Sequence, residues 1–517
     1  MGEIDEPASG TGETQNLALR RSGRRWGLVV HPKTLEFRKI IIMKTYCKDV
    51  DITDTKFIER AVINYLEDKR NNHQVISFFS KWTGRKYSET KYLLTRLCNP
   101  SYIAYLRKTG LPEKTCQSLF DEGLGFFYSV IEEISEEMSI HLKNRTVREH
   151  ILSRCYKEKV IRYMGITDGV SMKKRELGLE CFLFRLYETV SNAAGQPLFD
   201  AKVGMYQVAS VEGKGQKFGR RAVARWMASD PEGTKIGAKG DVKKCYPSID
   251  HGVLKAMLHR DLHKADAVEY LFDTIISLYE EFPNPKSKDP TKGILIGSPV
   301  SKDLCNYYMS AMYHYAAEKL AKVKTRRGKT QRTRLLKHQM YYMDDIQIYG
   351  PNKKDVQLAM VMMVKFAKEV LLLTIKPDWR KFRSQYQNAE ENTKGCLLDF
   401  MGFRFHGGAV TTKYYLGRPV KYKKVWVTIR RKTFLKARRK FTRFIRMIKR
   451  RQIVSFKFAK STASYYGCFT QTNAATFRKK NKIDQIMHIA RKVVSDYAKT
   501  VDYSTDKYYQ MWRRKIA

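Results

Sequence analysis

This sequence is short of acid. Asp and Glu together number 52 against 98 Lys and Arg, which leaves a formal net charge of +46. An acidic binding surface is thereby set aside, and a polyanionic partner held by salt-sensitive phosphate contacts is implied. Also missing is any apolar run long enough to cross a bilayer, so no membrane partner is expected. The nine cysteines are scattered without a Cys-x-x-Cys pair, the pattern of neither a zinc ribbon nor a disulfide framework. With no apolar segment at the start, and Glu6 where myristoylation needs Ser or Thr, the chain reads as reduced and cytoplasmic.

What is present divides into four parts. Residues 1–25, rich in Gly, Glu, Ser and Thr and closing on Arg20-Arg21 and Arg24-Arg25, have the composition of a disordered tail. Residues 26–159 form a helical amino-terminal extension. Its stripes, Phe57, Ile58, Ala61, Tyr65 and Leu66, then Phe127, Val130, Ile131, Ile134 and Met138, read as packing faces. Residues 160–410 hold the motifs described next. Residues 411–517 are strongly basic, with about 30 Lys and Arg against about 4 acids from Lys413 onward. Within them Lys432 to Arg451 reads as a helix with Phe434, Leu435, Phe441, Phe444, Ile445 and Ile448 inward, and Arg438, Arg439, Lys440 and Arg443 free to follow a nucleic-acid backbone.

The most informative run is Tyr341-Tyr342-Met343-Asp344-Asp345, flanked by β-prone apolar segments. Two carboxylates between such segments sit at the tip of a hairpin, where they stay hydrated or bind metal; the plain alternative is an ordinary Asp-bearing turn. About a hundred residues earlier, a strand over Lys235 to Ala238 leads to Asp241, a third carboxylate at a strand end. Between them lies Gly293-Ile294-Leu295-Ile296-Gly297-Ser298-Pro299, read as a turn that lets backbone approach a nucleotide, with Ser298 as N-cap and Pro299 in the first helical position.

In order and spacing these segments resemble the palm motifs of reverse transcriptases, over about Val160 to Lys480. The resemblance implies an α+β right-hand polymerase fold: fingers, an antiparallel palm sheet with helices, and a helical thumb. It matches Asp241 to the first metal-binding aspartate, Gly297 to the substrate-turn glycine and Tyr342 to Asp345 to the tyrosine-x-Asp-Asp box. It implies RNA-directed DNA polymerisation with two Mg²⁺ ions, Mn²⁺ being a possible substitute, held by Asp241, Asp344, Asp345 and the Val242 carbonyl. Lys174 and Arg175 would meet the triphosphate, the alternative being a solvated basic face. Tyr246, five residues after Asp241, would exclude a 2′-hydroxyl, with core packing as the alternative. Phe400, Met401 and Gly402 resemble the primer grip. Gly213 to Arg221 lacks the Gly-Lys-Ser/Thr ending of a P-loop and resembles a template-contacting segment, with Lys214, Lys217, Arg220 and Arg221 as its cations. One lysine of the next motif stays open among Lys376, Arg380 and Lys381.

One departure from the family pattern bears on biology. Ile296 stands where a glutamine is usual before the glycine, a mark of diversity-generating retroelement enzymes, yet Lys302 stands where those carry glutamine. The expected partners are an RNA template or structured non-coding RNA, the DNA product and its RNA–DNA hybrid, and a small accessory protein or a second copy of the chain. Three readings follow: a reverse transcriptase with a dedicated RNA in bacterial anti-phage defence, an error-prone diversity-generating enzyme, or a non-catalytic RNA-binding protein of the same fold. The tyrosines near the carboxy terminus, Tyr497, Tyr503, Tyr508 and Tyr509, read as stacking or packing residues, the bolder alternative being that one of their hydroxyls primes synthesis.

Overall fold

The computed structural model describes residues 44–155, 160–167, 174–326, 329–384, 387–388, 393–394 and 398–499. The tail over 1–25, the segment 171–173, the Arg175 and Tyr497 side chains, and Tyr503, Tyr508 and Tyr509 lie outside what is described.

Helices and antiparallel strands are both abundant, an α+β protein. The described chain falls into two units. In chain order the strands are β1 (Ile161–Thr167), β2 (Lys174–Glu180), β3 (Ile236–Asp241), β4 (Ala321–Arg326), β5 (Lys329–Arg334), β6 (His338–Tyr342), β7 (Asp345–Gly350), β8 (Arg380–Arg383), β9 (Gln387–Asn388), β10 (Thr393–Lys394), β11 (Leu398–Phe400), β12 (Phe403–Tyr415) and β13 (Arg418–Ile429). The small unit contains the β4–β5 ribbon, residues 321–333. The large unit holds the other described strands and all the described helices.

Its centre is a four-stranded antiparallel sheet in the order β6-β7-β3-β8. β7 is almost wholly buried, with Ile346, Ile348 and Tyr349 inaccessible to solvent, as an interior strand must be. The Lys353–Glu369 helix covers this sheet through Val356, Met360 and Met363, and its Asn352 cap accepts from Lys354 N. The amino-terminal helices share a continuous apolar core with this region. The Thr55–Leu66 helix buries Ile58, Ala61 and Leu66, and the 31-residue Glu113–Lys143 helix buries Phe127, Val130, Ile131, Ile134 and Met138. Both expected stripes therefore face inward, apart from the partly exposed rim residues Phe57 and Tyr65.

Several expectations need correction. The strand before Asp241 is Ile236–Asp241, longer than expected. The helix after Gly297 begins at Ser301 with Val300 in the cap position, because Ser298 is buried with its Oγ 3.4 Å from the Tyr279 hydroxyl. In the Arg431–Lys449 helix the inward residues are Ala437, Phe441 and Phe444, with Phe434 and Ile445 beside them; Leu435 and Ile448 face outward. Finally, Cys155 and Cys181 are bridged, with a Cα–Cα separation of 6.5 Å. The β1–β2 hairpin between them returns the chain on itself, and Cys181 N donates to Val160 O at its base. Spacing along the chain hides that closure, and the cysteines no longer argue for a reducing compartment.

Candidate active site

β3 and β7 run antiparallel so that Asp241 and Asp345 are direct cross-strand neighbours. β6 and β7 pair through Tyr342 and Asp345, leaving Met343 and Asp344 as a two-residue turn with Met343 in the left-handed region, φ +52°. The Asp344 carbonyl then accepts from Val242 N at 3.0 Å, which stitches the turn to the residue after Asp241. Three carboxylates from segments a hundred residues apart meet at one edge of the sheet. All three are half-buried. Burial, then the charges of Asp241 and Asp345, push the Asp344 carboxyl up to about 6.

Two lysines answer this charge. Lys376 contacts the Asp241 carboxylate, and its backbone N donates to Asp241 O at 2.9 Å. Its ammonium is held above the ordinary lysine range, chiefly by that bond to Asp241. Lys239 Nζ lies 3.4 Å from Asp345 Oδ1. Among Lys376, Arg380 and Lys381, position favours Lys376, which meets the Asp241 carboxylate. The isolated Val242–Ile375 bridge holds its segment against β3.

Tyr246 belongs to the same cluster. Its hydroxyl is 3.9 Å from Met343 Sδ, its carbonyl accepts from Ile294 N at 3.1 Å, and burial raises its phenol far above the usual range. The 293–297 turn is therefore tied to Tyr246 and not merely near it. Gly297 is exposed with φ +112°, a conformation that only glycine adopts without strain. The turn rests on β2: a Cβ on Gly178 would fall 2.5 Å from Leu295 Cδ2. Ile296 is half-buried beside it. Behind the turn, Glu188 is wholly buried and accepts from the Tyr279 hydroxyl at 2.5 Å, while burial pushes its carboxyl well up, towards the protonated form. Neither Glu188 nor Tyr279 carried a signal in the sequence, since both lie inside apolar helical stretches.

The remaining expected site residues divide. Lys174 is exposed at the start of β2, and the backbone of Arg175 follows it. Phe400 and Met401 are buried, and Met401-Gly402 forms the tight turn into β12 with both φ values positive. Asp399 beside it pairs with Arg430 at 2.6 Å, coupling the turn to the start of the Arg431–Lys449 helix. On the Gly215–Ser229 helix Lys217 and Arg221 are exposed. Lys214 is partly buried with its Nζ 3.4 Å from Gly204 O, and Arg220 is partly buried too. Arg438, Arg439 and Arg443 face solvent, whereas Lys440 bonds Ser461 and lies 5.0 Å over the Tyr465 ring.

A second group of metal-ligating type, not expected from the sequence, lies on the amino-terminal helices. Glu137, His141 and His150 place donor atoms within 4.8 Å of one another and could hold an ion. Their present partners are protein: Arg154 is 2.6 Å from Glu137, Thr146 and Tyr187 bond the Nδ1 atoms of His141 and His150, and the two rings stack at 4.0 Å. Among the described helices none is long and apolar enough to cross a membrane.

No protein-family profile matches the chain, and no curated protein matches its sequence significantly.

Proposed function

We propose that the chain is an RNA-directed DNA polymerase, a reverse transcriptase working with a dedicated structured RNA in bacterial anti-phage defence. One observation carries the reading: Asp241, Asp344 and Asp345 converge at one end of an antiparallel pair, beside a glycine turn and a tyrosine ring. The donor set fits two Mg²⁺ ions, being hard oxygen ligands, and burial together with the charges of Asp241 and Asp345 holds Asp344 up at about 6. Bound there, the ions would activate the 3′ oxygen and stabilise the pyrophosphate leaving group.

The chain's own residues do the rest. Asp241 and Asp344 would be the principal ligands, Asp345 a more peripheral one, and the Val242 carbonyl would add a further oxygen. Gly297 admits the nucleotide against backbone, and Tyr246 fills the space that a 2′-hydroxyl would need. Lys174 and Arg175 neutralise charge on the β- and γ-phosphates. In this reading β1, β2 and the Phe182–Lys202 helix form fingers, the four-stranded sheet is the palm, Phe400 to Gly402 grip the primer, and the helices from Arg431 onward are the thumb.

Ile296 favours a second reading, an error-prone diversity-generating enzyme, because a branched aliphatic cannot make the polar contacts of glutamine. Incorporation of dNTPs on a primed RNA template with Mg²⁺ tests the class. Asp344→Asn and Asp345→Asn should fall to background while retaining RNA. Parent protein that holds RNA but never extends a primer would leave the non-catalytic reading standing. Sequencing the nucleic acid that co-purifies would then separate a dedicated RNA from a variable-repeat template.

A further inference from the structure

The β12–β13 hairpin, which β11 extends at its base into a three-stranded sheet, presents one face to solvent. On β13 residues 418–422 are all exposed; beyond them Lys424 and Trp426 stay exposed while Lys423, Val427 and Ile429 are buried. The buried side packs on the Gly215–Ser229 helix, and Lys421 at its rim reaches Glu232 at 3.4 Å. The register places Tyr415, Lys413, Thr411 and His406 opposite Arg418, Val420, Tyr422 and Trp426, on the free face.

This face interleaves rings with cations. His406 stacks on Trp426 at 5.5 Å and 9° and bonds Thr428 Oγ1 at 2.7 Å, which fixes the indole. Lys413 Nζ lies 4.5 Å over the Tyr422 ring. Tyr415 is 70% exposed beside the Leu416-Gly417 turn. Large aromatics held open to water cost free energy unless something covers them, and their neighbours specify what. The sequence holds no Asp or Glu between Asp399 and Asp484, so an acidic or phosphate-bearing partner meets no repulsion here. At about 3.4 Å per residue the face runs for roughly 27 Å from Arg418 to Trp426, long enough for several nucleotides.

We infer that this face of the β12–β13 ribbon is a stacking platform for single-stranded nucleic acid, with bases on Tyr415, Tyr422 and Trp426 and phosphates on Lys413, Arg418 and Lys424. A single strand is the occupant because its bases are free to stack, whereas a duplex keeps them paired and would meet only the cations. The inference does not depend on the polymerase reading, so it is tested with chemistry switched off.

The experiment measures fluorescence anisotropy of labelled oligouridylate, oligothymidylate and a matched duplex, with the full chain carrying Asp344→Asn, in EDTA, across a salt series. Tyr422→Ala with Trp426→Ala should weaken single-strand binding by roughly 30-fold or more, with the slope of log K against log salt unchanged and duplex binding little altered. Lys413→Gln, Arg418→Gln and Lys424→Gln together should flatten that slope by about 2. Tyr422→Phe with Trp426→Phe keeps the rings and should restore affinity, which separates stacking from a folding defect. Unchanged single-strand affinity in the alanine pair, equal loss for duplex, or failure of the phenylalanine pair to restore binding would each overturn the inference.

Discussion

Asp241 and Asp345 face each other across the β3–β7 ladder, and each is met by its own lysine, Lys376 and Lys239. Asp344, in the turn between, has no such partner among the ion pairs of the described residues, and burial with the charges of its two neighbours pushes its carboxyl up to about 6.

That difference predicts how metal-free protein responds to pH. Burial and the neighbouring charges hold the folded Asp344 carboxyl at about 6, above the ordinary aspartate value of about 3.9, so the folded chain binds more protons between those limits. Its destabilising contribution is fully present above about pH 6 and is relieved as pH falls towards 4. For a half-buried cluster the effect is discounted to about 1–2 kcal/mol. Thermal unfolding in EDTA should therefore show Asp344→Asn more stable than parent at pH 7.5, with the gap closing near pH 4.5. Adding Mg²⁺ at pH 7.5 should raise the parent and leave the variant behind. A constant gap across pH would refute the assignment of strain to this carboxyl.

Lys376 occupies one carboxylate that a cation would otherwise bind. The pair is substantially exposed, so its worth is under about 1 kcal/mol. Lys376→Gln should lower the Mg²⁺ concentration giving half the thermal shift by a few-fold. An increased Mg²⁺ requirement would mean that the lysine orders Asp241 for the metal instead of competing with it.

The sequence made the hairpin legible because apolar flanks fix both strands and leave the two acids at its tip. It made Asp241 legible only as a strand end; the register opposite Asp345 is a tertiary fact. Lys376 was indistinguishable from Arg380 and Lys381 because all three are cations in one short segment, and the Val242–Ile375 bridge selects among them. The Cys155–Cys181 bridge escaped for a similar reason, since it depends on hairpin closure. Ser298 looked like a cap because capping preference is local, while its burial beside Tyr279 is not. The outward turn of Leu435 and Ile448 reflects a helix packed along a narrower stripe than its apolar residues span.

Tyr246 separates packing from selectivity. Its hydroxyl lies 3.9 Å from the Met343 sulfur, a weak acceptor, so Tyr246→Phe should leave stability within about 0.5 kcal/mol of parent. Tyr246→Val should lose about 1–3 kcal/mol for the missing ring volume and, on the polymerase reading, raise ribonucleotide incorporation relative to deoxynucleotide. Primer extension with each nucleotide set gives the ratio, and unfolding curves give the packing cost. A Val variant that is destabilised yet equally selective would reduce Tyr246 to a core residue.

Gly297 tests the turn itself. An added Cβ would meet nothing closer than 3.9 Å, at Gly178 O and Leu177 Cδ2, so space is not what requires glycine. The backbone is: φ of +112° lies where a side chain is strained, at a cost of about 1–3 kcal/mol. Gly297→Ala can escape that cost only by rotating the turn, and the turn is tied through Ile294 to Tyr246 and through Ser298 to Tyr279. The expected result is a small loss of stability with a larger rise in KM for the incoming nucleotide, since the exposed backbone moves while the core holds. A full-sized stability loss with KM unchanged would show that the turn stays in place and that nucleotide binds elsewhere.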